Sequence, residues 1–315
     1  MHVVLVGAGL MAKEYGKVLN ALGVPYTVIS RGPDSAKTFE AEVGKEVRIG
    51  GLESNYGSLN EVPTHVIIAT PLENLEENTL FILDQGVKNV LIEKPGAVSV
   101  EGLKRIHEKA EYRNAKVFIA YNRRFYSSVI EAEKLIAKDG GLQSFVFEFT
   151  EWGHKIKNLD KSTFQLENWF IGNSTHVIDL AFFFGGKPKE LSSYIMGGSD
   201  WHPTGTIFSG AGITETGKVF SYHANWEAPG SWKLELLTKL NRYIFRPLEE
   251  LKVQALGSIE VSKITIDDSY DITFKPGLYQ QVNSFLYETP YSNRLLGVEE
   301  GLLMMENYFR MRCDK

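Results

Sequence analysis

Three short segments of this chain place residue types at spacings that can do chemistry. The first is Gly7-Ala8-Gly9-Leu10-Met11-Ala12, a G-x-G-x-x-A pattern between the apolar run Val3-Val4-Leu5-Val6 and a helix-like run. Gly7 permits a tight turn, Gly9 lets a pyrophosphate approach the backbone, and small Ala12 lets the helix pack close to a sheet, with Leu10 and Met11 carried on the same turn. The phosphates would then meet the positive end of the helix dipole. The second segment, Ile29-Ser30-Arg31-Gly32, closes the next apolar run. A carboxylate there would bond ribose hydroxyls and repel a 2′-phosphate, whereas Ser30 and Arg31 offer a hydroxyl and a guanidinium. Hydrogen bonds to a charged group contribute about 1.5–3 kcal/mol each, so NADP(H) is the expected cofactor and NAD(H) the alternative. The third segment is Glu93-Lys94-Pro95, at the end of another strand-like run. A lysine there, beside a nicotinamide, would take a hydroxyl proton as hydride leaves, or return it during carbonyl reduction. That role requires desolvation to lower its pKa toward neutrality. The competing reading is an ordinary surface lysine; the location and the following proline favour the first. Ala69-Thr70-Pro71 ends a further strand on the same edge and is expected to pass near the cofactor.

These segments need a scaffold, and the first half of the chain supplies one. Strand-like runs at 3–6, 26–29, 47–49, 65–69, 89–92 and 116–121 alternate with helix-like runs at 11–22, 35–43, 73–85 and 99–113. Strands without internal polar alternation, separated by helices, predict a doubly wound parallel sheet covered on both faces, an α/β Rossmann domain over residues 1–121. Beyond a helix near 127–137 the pattern changes. Runs at 143–152, 190–196, 206–213, 218–226 and 232–237 are rich in aromatic and β-branched residues, and several alternate polar with apolar. They predict an α+β domain over residues 122–315, with a large, mostly antiparallel open sheet and two closing helices near 279–285 and 298–310.

Composition narrows the class. The chain has 315 residues, 43% hydrophobic and 23% charged, with a formal net charge of −5. That balance argues against a nucleic-acid partner, since Arg123-Arg124 is the only basic cluster. The single cysteine, Cys313, allows neither an intramolecular disulfide nor a cysteine-based zinc site, which predicts a reducing, cytoplasmic compartment. The apolar stretch Val3–Leu10 lacks a basic leader and is interrupted by glycines, and no run approaches the roughly 20 residues of a membrane span.

The glycine turn, Ala69-Thr70-Pro71, Glu93-Lys94-Pro95 and Asn122-Arg123-Arg124-Phe125 occur in the order and spacing of the Gfo/Idh/MocA oxidoreductases, which this chain resembles. The resemblance covers the N-terminal domain and, more loosely, the second half. It implies hydride transfer on a sugar, cyclitol or nucleotide-linked sugar, with Lys94 as the catalytic acid/base. It also implies a C-terminal sheet whose face receives substrate and pairs copies into dimers or tetramers. Members of this family carry a helical histidine with one aspartate four residues before it and another three after. Here that segment is Gly172-Asn173-Ser174-Thr175-His176-Val177-Ile178-Asp179. The resemblance makes His176 a second catalytic residue and Asp179 a structural one, but position 172 is glycine. Asn173 and His176, three apart, would share a helix face. Either Asn173 substitutes, or a carboxylate such as Glu167 moves in, or the chemistry departs from the family norm. Asn122, Arg124, Trp152, His154, Lys155, Trp169 and Asn173 are the candidate substrate-face residues, tryptophan being able to stack on a sugar ring although most tryptophans are core. The histidines and Asp179 make no convincing metal set, and no metal is expected. Two other classes stand beside the oxidoreductase: a cofactor-binding regulator, favoured by the missing aspartate, and an NAD(P)-assisted elimination or glycoside cleavage.

Overall fold

The computed structural model describes residues 1–312, so Cys313 lies outside the described residues. In chain order the elements are β1 (Val3–Val6), α1 (Leu10–Ala21), β2 (Tyr26–Ser30), α2 (Pro33–Val43), β3 (Val47–Ile49), α3 (Leu52–Tyr56), β4 (His65–Ile68), α4 (Leu75–Asp84), β5 (Asn89–Glu93), α5 (Val100–Arg113) and β6 (Lys116–Ala120). There follow α6 (Ser127–Lys138), β7 (Ser144–Phe149), α7 (Gly153–Ile156), α8 (Thr163–Glu167), α9 (Thr175–Gly185), β8 (Pro188–Met196), β9 (Ile207–Thr214), β10 (Val219–Asn225), β11 (Trp232–Leu237), β12 (Asn241–Phe245), β13 (Lys252–Ala255) and β14 (Ser262–Lys263). The chain closes with α10 (Ser269–Thr273), α11 (Leu278–Leu286), β15 (Leu296–Gly297) and α12 (Val298–Met311). It divides into two compact units, Met1–Phe125 with Tyr270–Leu303, and Tyr126–Ser269 with the segment from Met304.

The first unit is built on a seven-stranded sheet in the order β15-β6-β5-β4-β1-β2-β3. All pairings from β6 to β3 are parallel, and the two-residue β15 adds an antiparallel edge on β6. The central runs Val3-Val4-Leu5 and Val66-Ile67-Ile68 are fully buried, which is why they read as unbroken apolar stretches. Strand order reverses between β1 and β4, so their carboxyl ends form the crevice where open α/β sheets take ligands. Ser99 caps α5, its side chain accepting from the Gly102 amide. A single cut after Tyr121 leaves Tyr270–Leu303 to the second domain, yet this stretch belongs to the first unit. The reason is α11: Leu278, Val282, Phe285 and Leu286 share one helical face and join the core formed by β1, β2, α1 and α2.

The second unit carries an eight-stranded sheet, β14-β13-β12-β11-β7-β10-β9-β8. Its pairings are antiparallel except for β10 on β7. On β7 the alternation Phe145, Phe147, Phe149 is the buried face. Phe182 of α9 meets Phe145 and Phe147 edge-on at 5.9 and 5.7 Å between centroids. Gly185 lets α9 come this close, because a Cβ there would overlap the Phe145 ring. Apolar nearly all round, α9 is buried from Thr175 to Phe182.

Removing a ring from this contact should open a cavity that the stacked strands cannot close. Phe147→Ala is expected to cost about 3–5 kcal/mol of stability, read as a lower urea midpoint with far-UV circular dichroism retained in the folded baseline.

Candidate active site

The first unit gathers the glycine turn, Ser30-Arg31, Ala69-Thr70-Pro71 and Glu93-Lys94 at the carboxyl ends of β1, β2, β4 and β5. Gly7 has φ +115°, and a Cβ on it would overlap the Ala69 carbonyl oxygen, so only glycine fits. Its amide donates to the Ile29 carbonyl at 2.8 Å, tying the turn to β2. Gly9 is the N-cap of α1 in extended conformation, and no atom lies within 4 Å of where its Cβ would be. No side chain caps α1, which leaves its first amides available to an anion. Leu10 is exposed, Met11 packs partly into the core and Ala12 is fully buried. A backbone cradle that excludes side chains on one flank and is open on the other fits the diphosphate of a dinucleotide.

At the end of β2, Ser30 is buried with its hydroxyl 3.4 Å from that of Ser35. Arg31 is exposed, and its Nη2 donates to Asn74 Oδ1 at 3.0 Å. Thr70 Oγ1 accepts from Asn78 Nδ2 at 3.2 Å, and Pro71 leads into a short 3-10 turn over Leu72–Asn74. Beyond β5, Lys94 is half-buried beside a buried Glu93. Burial pushes the Glu93 carboxyl above its usual range, against the opposing pull of the Lys94 charge and of the Tyr15 hydroxyl, which donates to it at 2.7 Å. The same burial and the adjacent carboxylate push the Tyr15 phenol well up, so it stays a donor. Tyr15, on the inner face of α1, had no signal beyond an apolar stripe, in which an aromatic reads as core. Asn122 and Arg124 lie in the interior of this unit: the Asn122 amide donates to the Pro276 carbonyl at 2.9 Å, and Arg294 donates to the Arg124 carbonyl at 2.8 Å.

In the second unit the segment before the histidine is a π turn over Phe170–Ser174, and α9 starts only at Thr175. Asn173 and His176 therefore do not share the face of one continuous α-helix, because the wider turn ends between them. His176 is 7% exposed, with its ring 6.1 Å from that of Trp232, and Asp179 is fully buried. The carboxylate facing Asn173 is not Glu167, which is exposed on α8, but Glu151. Asn173 Nδ2 donates to both Glu151 oxygens at 3.0 and 3.2 Å, and the Ser174 hydroxyl donates at 2.8 Å. Burial pushes the Glu151 carboxyl up, and donors from Ser174 and Asn173, with smaller contributions from Trp169 and Trp232, pull it back part of the way. A partial signal for Glu151 was present in the sequence: it keeps the spacing of Phe145, Phe147 and Phe149, although β7 ends at Phe149 and Thr150 is buried as well.

Trp152 is half-exposed and donates from Nε1 to the Gly230 carbonyl at 2.9 Å, while Lys155 Nζ sits 4.2 Å from its ring centroid. His154 is exposed and lines a cavity of about 580 Å³ with Lys157, Trp201, Trp226 and Glu227. Trp152, Lys155, Trp169, Asn173 and His176 do not line it. Among the described residues, no three His, Cys, Asp or Glu side chains gather as a metal site, and no helix is long and apolar enough to cross a membrane.

Residues 1–121 match the profile of the Gfo/Idh/MocA group, described as an oxidoreductase family with an NAD-binding Rossmann fold. No curated protein sequence matches the chain. Among solved structures, an oxidoreductase from Agrobacterium radiobacter in complex with NAD+, L-tartaric acid and magnesium is 13% identical, with a TM-score of 0.77 over 100% of this chain and 96% of its own. The UDP-N-acetylglucosamine 3-dehydrogenase GnnA from Acidithiobacillus ferrooxidans is 14% identical, with a TM-score of 0.77 over 99% and 97%. Levoglucosan dehydrogenase in complex with NADH and levoglucosan is 17% identical, with a TM-score of 0.77 over 99% and 97%. At these identities the likeness establishes a shared two-domain fold.

Two measurements check this geometry. Gly7→Ala should lose about 1–3 kcal/mol to strain at the left-handed position and weaken NADH binding at least tenfold, by fluorescence titration. The pH dependence has a definite sign. Glu93 and Glu151 hold their protons more tightly in the folded chain than in the unfolded one. Their contribution is complete below the ordinary glutamate pKa and is lost as pH rises through the raised folded values. Urea unfolding at a series of pH values should show stability falling across that window, and Glu93→Gln should remove part of the slope.

Proposed function

We propose that this chain, whose residues 1–121 match the profile of the Gfo/Idh/MocA oxidoreductases, is an NAD(P)-dependent oxidoreductase acting on a CH–OH group of a sugar, cyclitol or nucleotide-linked sugar. The observation that carries the reading is Lys94. It follows β5 on the same carboxyl edge of the sheet as the Gly7–Ala12 turn, with β4 between β5 and β1. Bound nicotinamide supplies or takes the hydride. Lys94 Nζ, as the free amine, accepts the proton of the substrate hydroxyl during oxidation; as the ammonium, it returns that proton to the carbonyl oxygen during reduction. The Lys94 charge in turn pulls on the buried Glu93 carboxyl beside it, so proton transfer is read as a property of the pair. His176, held by the buried α9, is assigned a donor role toward substrate, and Trp152, Lys155 and Trp169 are assigned to the substrate face. The dehydrogenases of similar fold that act on levoglucosan and on UDP-N-acetylglucosamine support the substrate class.

NADP(H) is the cofactor we assign, on the Ser30 hydroxyl and the exposed Arg31 guanidinium at the end of β2. The compartment we assign is the cytoplasm. The outer face of the second unit's sheet, with Tyr194, Met196 and Val219 exposed, is assigned to contact with further copies of the chain.

A panel of sugars, cyclitols and nucleotide sugars, followed by nicotinamide absorbance with NADP(H) and NAD(H) in parallel, tests the reading. Net cofactor oxidation or reduction supports it; cofactor binding with no net change on any substrate points to the regulator or to the cofactor-regenerating elimination. Lys94→Ala should lower kcat roughly a hundred- to ten-thousandfold with cofactor affinity retained. Arg31→Ala should weaken NADPH binding roughly ten- to a hundredfold and leave NADH binding nearly unchanged. NADH binding the native chain better than NADPH would overturn the cofactor assignment.

A further inference from the structure

We propose that Glu151 is a positioning residue. By holding the Asn173 amide nitrogen, it turns the Asn173 carbonyl oxygen outward as a hydrogen-bond acceptor for a substrate hydroxyl, in place of a carboxylate at position 172. This rests on the oxidoreductase reading above and adds a residue that the sequence pattern did not contain.

The geometry carries it in three steps. A side-chain amide has two ends of opposite hydrogen-bonding character, and which end faces a ligand decides whether it donates or accepts. Asn173 Nδ2 spans both Glu151 oxygens at 3.0 and 3.2 Å, an arrangement that a carboxylate, being only an acceptor, imposes on a neighbouring amide. The Asn173 carbonyl oxygen, on the far side, makes no hydrogen bond among the described residues, and the side chain is half-buried, between the interior carboxylate and the surface.

The clamp is itself fixed. Glu151 is 7% exposed and also accepts from Ser174 Oγ at 2.8 Å. The groups that bear on its ionisation come from the π turn (Asn173, Ser174), from Trp169 before it and from Trp232 on β11, and all four are neutral. Without a cation in that set, the negative charge is stabilised only by donors, and Asn173 contributes by committing its NH2 group. The π turn serves the arrangement by bringing two consecutive side chains, Asn173 and Ser174, to one carboxylate, immediately before the helix that bears His176.

Glu151→Gln keeps the shape of the side chain and removes the command over the amide, since glutamine can offer its own NH2 and let Asn173 reverse. Two readouts on the full chain test the proposal. In protein labelled with 15N-asparagine, the Asn173 side-chain NH2 resonances, identified by their loss in Asn173→Ala, should shift as Glu151 titrates, and Glu151→Gln should abolish that titration. In turnover assays Glu151→Gln should lower kcat/KM roughly ten- to a hundredfold and remove the acid limb of its pH profile, with the cofactor Kd unchanged. The double variant Glu151→Gln with Asn173→Asp should recover most of the loss, because the introduced carboxylate accepts from the introduced amide with one oxygen and presents the other outward. Asn173 resonances that ignore pH, or that titrate equally in Glu151→Gln, overturn the clamp. Wild-type kcat/KM in both Glu151→Gln and Asn173→Ala overturns its role toward substrate. A wild-type chain that turns over no substrate on the panel counts against the oxidoreductase reading instead, and the resonances still decide on the clamp.

Discussion

The first unit is organised by one close approach, that of the Gly7 backbone to the Ala69 carbonyl. No side chain fits between them, and the contact joins the carboxyl ends of β1 and β4 at the point where strand order reverses. Everything assigned to the cofactor follows from it. The amide of Gly7 is committed to Ile29, which leaves Gly9 and the uncapped start of α1 as the exposed backbone. The same edge brings Lys94 into line two strands away. A parallel sheet with both faces covered takes ligands along this edge, so the glycine cradle and the placement of Lys94 are consequences of a single topology.

The second unit solves a different problem. Its sheet must bury one face against a helix that also presents polar groups. Three phenylalanines on β7 and Phe182 on α9 fill the interface, and just past the end of the strand the buried Glu151 puts a carboxylate beside it. A buried carboxylate with no cationic neighbour is costly unless donors converge on it. Asn173 and Ser174 do so, which makes the irregular π turn part of the polar design.

Much of this was readable from residues alone, and the exceptions have identifiable physical causes. The parallel sheet was legible because each buried strand is an unbroken β-branched run, and the helices between them are amphipathic. The strands of the second sheet that alternate strongly, β7 to β11, were legible for the matching reason. By contrast β12, β13 and β14 are short and carry many polar residues, and β15 is only two residues long, so no period could mark them. The site was less legible than the fold. Gly172 advertised a missing carboxylate, but the carboxylate that faces Asn173, Glu151, lies 21 positions before Gly172 in sequence, and Glu167 looked nearer only along the chain. Nor does any residue type distinguish a π turn from an α turn, so the shared face of Asn173 and His176 could be placed only by the backbone.

The return of Tyr270–Leu303 to the first unit bears on how the chain is made. As it leaves the ribosome, β1 to β6 and their helices are complete by residue 120, yet α11 and β15 have still to be synthesised. Until then the surface that receives Leu278, Val282, Phe285 and Leu286 stays uncovered, and β6 remains an open edge. The contacts that close the unit span more than half of the chain, and Tyr126–Ser269 of the second unit is synthesised inside that interval. The Rossmann unit is thus begun before the second unit and closed only after most of that unit has been made.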